Sequence, residues 1–121
     1  MKRLSKLSLA AAIAAAFCST LYAAQPKPVE PAGNPENGQQ VYEYWCATCH
    51  GRGPGHPGTQ SLEVKYRGKV PAALEDRTDL AVPVTTYFVR HGFALMPPFR
   101  KTEISDAELR DLAAYLARKR K

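Results

Sequence analysis

The chain has 121 residues, a formal net charge of +6, three cysteines and two methionines. That length supports one domain with one small core, and domains of this size commonly lean on a metal or prosthetic group for stability. Lys2, Arg3 and Lys6 contribute three of those charges, and the remaining +3 is too weak a bias to mark a nucleic-acid or membrane-surface binder.

Residues 1–23 read as a secretory signal peptide. Lys2, Arg3 and Lys6 form its basic end. Leu7 to Leu21 is its apolar run, too short and too interrupted by Ser8, Ser19 and Thr20 for a membrane span. Cleavage after Ala23, or after Ala24, delivers the chain to the periplasm. Phe17 stands before Cys18 where a lipid-anchored cysteine would follow a small residue. Removing the segment discards Cys18, Met1 and three cations, which leaves two cysteines, one methionine and a charge of +3. Neither stable membrane insertion nor a nucleic-acid partner is expected.

Residues 24–33 carry Pro26, Pro28 and Pro31 without apolar periodicity and read as a flexible leader. The folded domain is expected over 34–121. Asn34-Pro35-Glu36 supplies an N-cap, a first-turn proline and an acidic group at the positive helix end, which predicts a helix from Pro35 to Trp45. Gly38, Val41, Tyr42 and Trp45 recur on one face of it. Gly38 is a poor helix former, so its place there predicts close packing against another element.

Cys46-Ala47-Thr48-Cys49-His50 follows at once. A C-x-x-C-H pentapeptide is the attachment signature of a c-type haem. Two thiols one helical turn apart can each form a thioether to a porphyrin vinyl group, and His50 then lies under the iron. Other chemistries fit less well. A thioredoxin-like pair wants a βαβ pattern that is lacking here. Zinc needs four ligands, and only His56 and His91 could complete the set. A disulfide across so short a loop would stabilise little.

Residues 51–59 are a loop by composition, with four glycines and two prolines. The nitrogen of a ligating histidine that faces away from the metal usually donates to a carbonyl. Pro57 is the expected acceptor and Pro54 the next, while His56 reads as a solvated loop residue. Ser61 to Tyr66 is expected as a short helix offering Leu62, Val64 and Tyr66 to a haem pocket. Lys65, Arg67 and Lys69 form a basic solvated face. Pro71 can open another helical turn, followed by a polar connector from Glu75 to Asp79.

Pro83 to His91 reads as a helix stopped by Gly92, with Val84, Tyr87, Phe88 and His91 at helical spacing. Beyond it Pro97 and Pro98 hold the chain extended and Phe99 supplies an aromatic wall. Met96 is the only methionine left to face the iron, completing a Met/His pair. His91 is the competing sixth ligand, but a histidine beside a helix-ending glycine more often caps carbonyls. Ser105-Asp106-Ala107-Glu108 is a capping box that opens a last helix to about Arg118. Its Leu109, Leu112, Ala113 and Leu116 form a core-facing stripe, and Tyr115 is placed to pack across Gly38. Arg118 to Lys121 reads as a solvated basic tail.

With haem motif, capped first helix, methionine loop and terminal helix in this order, the chain after its signal resembles a class I cytochrome c. The resemblance implies an all-α fold around one covalently bound haem c, with first and last helices crossing near Gly38 and Tyr115. Val89-Arg90-His91-Gly92-Phe93-Ala94-Leu95-Met96-Pro97-Pro98-Phe99 is similar to the methionine loop of the cytochrome subunit of 4-cresol dehydrogenase (hydroxylating) type flavocytochromes, with His91 where Asn is more usual. It implies a protein that is not by itself an enzyme: a periplasmic electron-accepting subunit of a flavoprotein dehydrogenase, or a carrier diffusing to a downstream acceptor. Ala47, Pro97, Pro98 and Phe99 would rim the electron-transfer surface. A gas sensor or peroxidase would need the sixth iron position open, and Met96 argues against that.

Overall fold

Asn34 begins the first helix as its composition predicts. Its side-chain oxygen accepts from the backbone N–H of Glu36 at 2.9 Å and of Asn37 at 3.4 Å, and Pro35 follows where a missing N–H costs nothing. The computed structural model describes residues 32–118. Among these the chain forms α1 (Pro35–Trp45), α2 (Ala47–His50), α3 (Pro57–Tyr66), a 3-10 turn (Leu74–Asp76), α4 (Val82–His91) and α5 (Asp106–Ala117). The fold is all-α; among the described residues the only β-type pairing is an isolated bridge between Phe93 and Met96. The segment read as a signal peptide, most of the segment read as a leader and the last three residues of the basic tail lie outside the described residues.

The capping box of α5 closes in both directions. The Ser105 hydroxyl accepts from the Glu108 N–H at 3.2 Å, and the Glu108 carboxylate accepts from the Ser105 N–H at 2.8 Å. The helix buries Leu109, Leu112, Ala113 and Leu116, together with Tyr115. It packs most extensively on α1, and Gly38 sets how closely. A Cβ there would lie 2.0 Å from the Asp111 carbonyl oxygen and 2.8 Å from Tyr115 Cβ. The crossing is pinned by the Asn34 N–H, which donates to Asp111 Oδ1 at 2.7 Å, and by the Tyr42 and Tyr115 rings 5.7 Å apart.

Helix α4 turns Thr85 and Val89 inward and stops at Gly92, whose φ of 67° favours glycine. The chain then doubles back along it. The Phe99 N–H donates to the Val89 carbonyl at 2.8 Å, while Arg90 donates to the Phe99 carbonyl at 3.0 Å and to Asp106 at 2.9 Å. Phe93 and Met96 exchange two backbone hydrogen bonds of 3.0 and 2.9 Å around Ala94 and Leu95. Ala94 has a φ of 52°, the left-handed region that disfavours a side chain.

Two expectations are corrected. Helix α3 begins at Pro57 and takes in Gly58 and Thr59, which composition assigns to the loop. Proline at the first helical position loses no hydrogen bond, so the proline that marks a loop here marks a helix start. Pro71 opens no helix. The chain instead makes a 3-10 turn at Leu74–Asp76, within the segment read as a polar connector. Beside it Arg77 is buried, stacked 4.7 Å from the Tyr66 ring centre, with its fork on Asp79 at 2.8 and 2.6 Å.

Candidate functional site

The site grows from the end of α1. Cys46 caps that helix, its N–H donating to the Tyr42 carbonyl at 2.8 Å, and its own carbonyl accepts from the His50 N–H at 2.8 Å. The single turn of α2 therefore carries Cys49 and His50 directly beyond Cys46. Both cysteines are unpaired, Cys46 half-buried and Cys49 exposed. Burial pushes the Cys46 thiol up to about 12, with the neighbouring Cys49 adding to the effect. A redox-exchange dithiol needs a readily formed thiolate, and Cys46 has the opposite character. Among the described residues no three His, Cys, Asp or Glu side chains group as a metal cage, so the zinc alternative finds no site there.

Three neighbours hold the backbone around His50. The Tyr42 hydroxyl donates to the His50 carbonyl at 2.7 Å, the buried Thr59 hydroxyl donates to the Gly51 carbonyl at 2.8 Å, and His56 Nδ1 donates to the Thr48 carbonyl at 3.0 Å. Carbonyls at a helix end lack partners within the helix, and these contacts from α1, α3 and the intervening loop supply them. His56 is half-buried and engaged, not the solvated loop residue expected of it. Arg52 extends the brace, reaching Glu75 at 2.6 Å and Asp76 at 2.7 Å. The Tyr115 hydroxyl donates to the same Glu75, tying the chain after His50 to α5.

The His50 imidazole lies against α3. Burial lowers its pKa, which favours the neutral ring that can coordinate a metal. Nδ1 is buried without a hydrogen-bond partner. The expected bond to Pro57 is not made. As the first residue of α3, Pro57 aims its carbonyl along the helix, where it accepts from the Ser61 hydroxyl at 2.9 Å.

Met96 and Phe99 pack against the same apolar core as Trp45, Cys46 and Ala47. The Phe99 ring meets Trp45 edge-on at 5.7 Å, while Pro97 and Pro98 are exposed. His91 Nδ1 donates to the Tyr87 carbonyl at 2.8 Å and its ring stacks on Tyr87 at 4.3 Å, as a helix-terminal capping histidine does. Large apolar side chains are exposed on three neighbouring elements: Val64 (75%) on α3, Val84 and Phe88 on α4, and Phe93 (65%) and Leu95 (97%) on the 92–99 loop. Phe88 and Phe93 lie 6.1 Å apart, and Lys65 of α3 reaches within 5.4 Å of the Phe93 ring. So much exposed apolar surface on one small domain marks a binding face.

These residues fit a covalently tethered, flat apolar macrocycle. Two unpaired thiols precede a neutral imidazole whose Nδ1 is buried and without a hydrogen-bond partner, and large apolar side chains are exposed on α3, α4 and the 92–99 loop. Sequence reasoning missed the bracing by Tyr42, Thr59 and Arg52 and the contact of Gly58 with His50. Only Tyr42 gave a signal, as a tyrosine on a core-facing stripe whose hydroxyl must find a partner. Residues 33–116 match the family model described as cytochrome C oxidase, cbb3-type, subunit III. No curated protein and no solved structure matches the chain.

Proposed function

We propose a function from the family to which the chain belongs, described as cytochrome C oxidase, cbb3-type, subunit III, which makes it a c-type cytochrome with covalent haem c that serves in electron transfer. From that premise we propose that Cys46 and Cys49 carry the thioethers, that His50 and Met96 are the axial ligands, and that the protein works in the periplasm as the electron-accepting subunit of a flavin-dependent dehydrogenase of alkylphenols. The observation that carries the site assignment is the single turn of α2, which sets both thiols and a neutral, half-buried imidazole at the end of α1. When bound, haem supplies a one-electron couple at iron.

The residues of the chain do the rest. Tyr42, Thr59 and His56 hold the carbonyls around His50, so the ligand's backbone stays fixed as charge changes. The Arg90 bonds to Phe99 and Asp106 fix the far end of the loop that carries Met96. Trp45 and Phe99 wall the interior side against water. Pro97, Pro98 and Leu95 present a firm apolar surface of the kind that docks a redox partner. The Val89–Phe99 sequence supports the flavoprotein partner. Affinity purification of the chain from its native periplasm tests this: a co-purifying protein with flavin absorbance is expected, and recovery of the cytochrome alone favours the diffusing carrier.

A further inference from the structure

In most metal-bound histidines a hydrogen bond from the outer nitrogen fixes the ring. His50 Nδ1 is buried and makes none, and the Pro57 carbonyl is turned toward Ser61. What the ring meets instead is backbone. A Cβ on Gly58 would lie 2.7 Å from His50 Cε1, 2.9 Å from His50 Nδ1 and 2.8 Å from the Cys49 carbonyl oxygen. No side chain fits there. Glycine is a poor helix former, and Gly58 has an ordinary helical backbone, unlike Gly53, Gly55, Gly68 and Gly92 with their positive φ. The reason for glycine at this position is therefore steric. The turn that carries it is held on both sides, by the Thr59 hydroxyl on the Gly51 carbonyl and by His56 on the Thr48 carbonyl.

We propose that Gly58 is a positioning residue: its bare Cα, presented by the first turn of α3, sets the rotation of the His50 ring in the role a hydrogen bond usually fills. The inference rests on the reading of His50 as the iron ligand. The plane of an axial imidazole governs how unpaired spin spreads over the four pyrroles of ferric haem, so the four haem-methyl proton shifts report it.

The test compares ferric, haem-loaded wild type with Gly58→Ala and Gly38→Ala by proton NMR. Gly58→Ala is expected to keep covalent haem and a low-spin spectrum while the methyl shifts change order or spread. Gly38→Ala, crowded at the distant helix crossing, is expected to lose stability with the methyl pattern intact. A wild-type pattern in folded Gly58→Ala overturns the proposal. If that variant does not accumulate, the ferrous wild type decides. A strong Overhauser contact between Gly58 Hα and His50 Hε1 is expected, and its absence overturns the proposal. In the same spectrum His50 ring protons far upfield mark ligation. If they are unshifted, the ligand assignment fails and the positioning role falls with it, an outcome distinct from upfield protons without the Gly58 contact.

Discussion

Replacing Gly38 with alanine sets two effects of opposite sign against each other. On helix propensity alone, alanine in the middle of α1 should stabilise by about 1 kcal/mol. The crossing with α5 reverses that. The new Cβ would lie 2.0 Å from the Asp111 carbonyl oxygen and 2.4 Å from its carbon, whereas carbon–oxygen contacts settle at about 3.3 Å. Both atoms are backbone, so no rotamer change relieves the overlap, and the helices must part by roughly 1 Å at their closest point. Overpacking a well-filled contact costs about 1–3 kcal/mol and more when backbone must move. The parting also loosens the Tyr42–Tyr115 contact beside it. We expect a net loss of about 2–3 kcal/mol, which lowers the melting temperature of a domain this size by roughly 8–24 °C. Thermal unfolding of the haem-loaded protein, followed by far-ultraviolet circular dichroism, measures it. A variant that melts at or above the wild-type temperature would mean that α1 and α5 do not meet at Gly38.

Met96→Ala should abolish the weak red absorption band of sulfur-ligated ferric haem; a band that persists rules out Met96 as the sixth ligand. Tyr42→Phe leaves the His50 carbonyl without its donor and should lower stability by about 1–2 kcal/mol, seen as a lower urea midpoint with an unchanged slope. Burial, aided by the charge of Glu75, also holds the Tyr42 phenol far above the usual tyrosine range. The unfolded chain then ionises first, so stability should fall as pH rises above about 10, and Tyr42→Phe should flatten that fall. Asp79→Asn strips the carboxylate from buried Arg77 and should cost about 1–2 kcal/mol, less than for a fully buried pair because Asp79 is half exposed. The Arg77 hydrogen bond holds the Asp79 carboxyl below its usual range, so this contribution is present above about pH 4 and lost as pH falls, and the variant should show a weaker acid dependence between pH 5 and 2 in urea titrations.

Local signals carried most of the fold. The cap at Asn34, the Gly92 stop and the Ser105 capping box are short-range chemistry, and they placed α1, α4 and α5 to within a residue or so. The C-x-x-C-H spacing was equally local, as was the small residue that lets α5 approach α1. The start of α3 was hidden because Pro57 and Gly58 read as loop formers, although proline is suited to a first helical turn. Polar contacts that join separate segments left no sequence trace. Tyr115 meets Glu75 forty residues away, Arg52 meets Asp76 across twenty-four, and Arg77 turns inward because Tyr66 and Asp79 receive it. The expected bond from His50 to Pro57 is absent for a related reason: helix geometry decides where a carbonyl points, and a helix that starts at Pro57 turns that carbonyl toward Ser61.

The central claim is a covalent iron porphyrin on Cys46 and Cys49, and intact-mass spectrometry of the exported protein after acid-acetone extraction tests it most directly. The account predicts a mass increase of one haem together with Soret absorbance, both lost from the polypeptide when Cys46 and Cys49 are replaced by alanine. An exported chain from a haem-competent host with the bare polypeptide mass and no Soret band would contradict it.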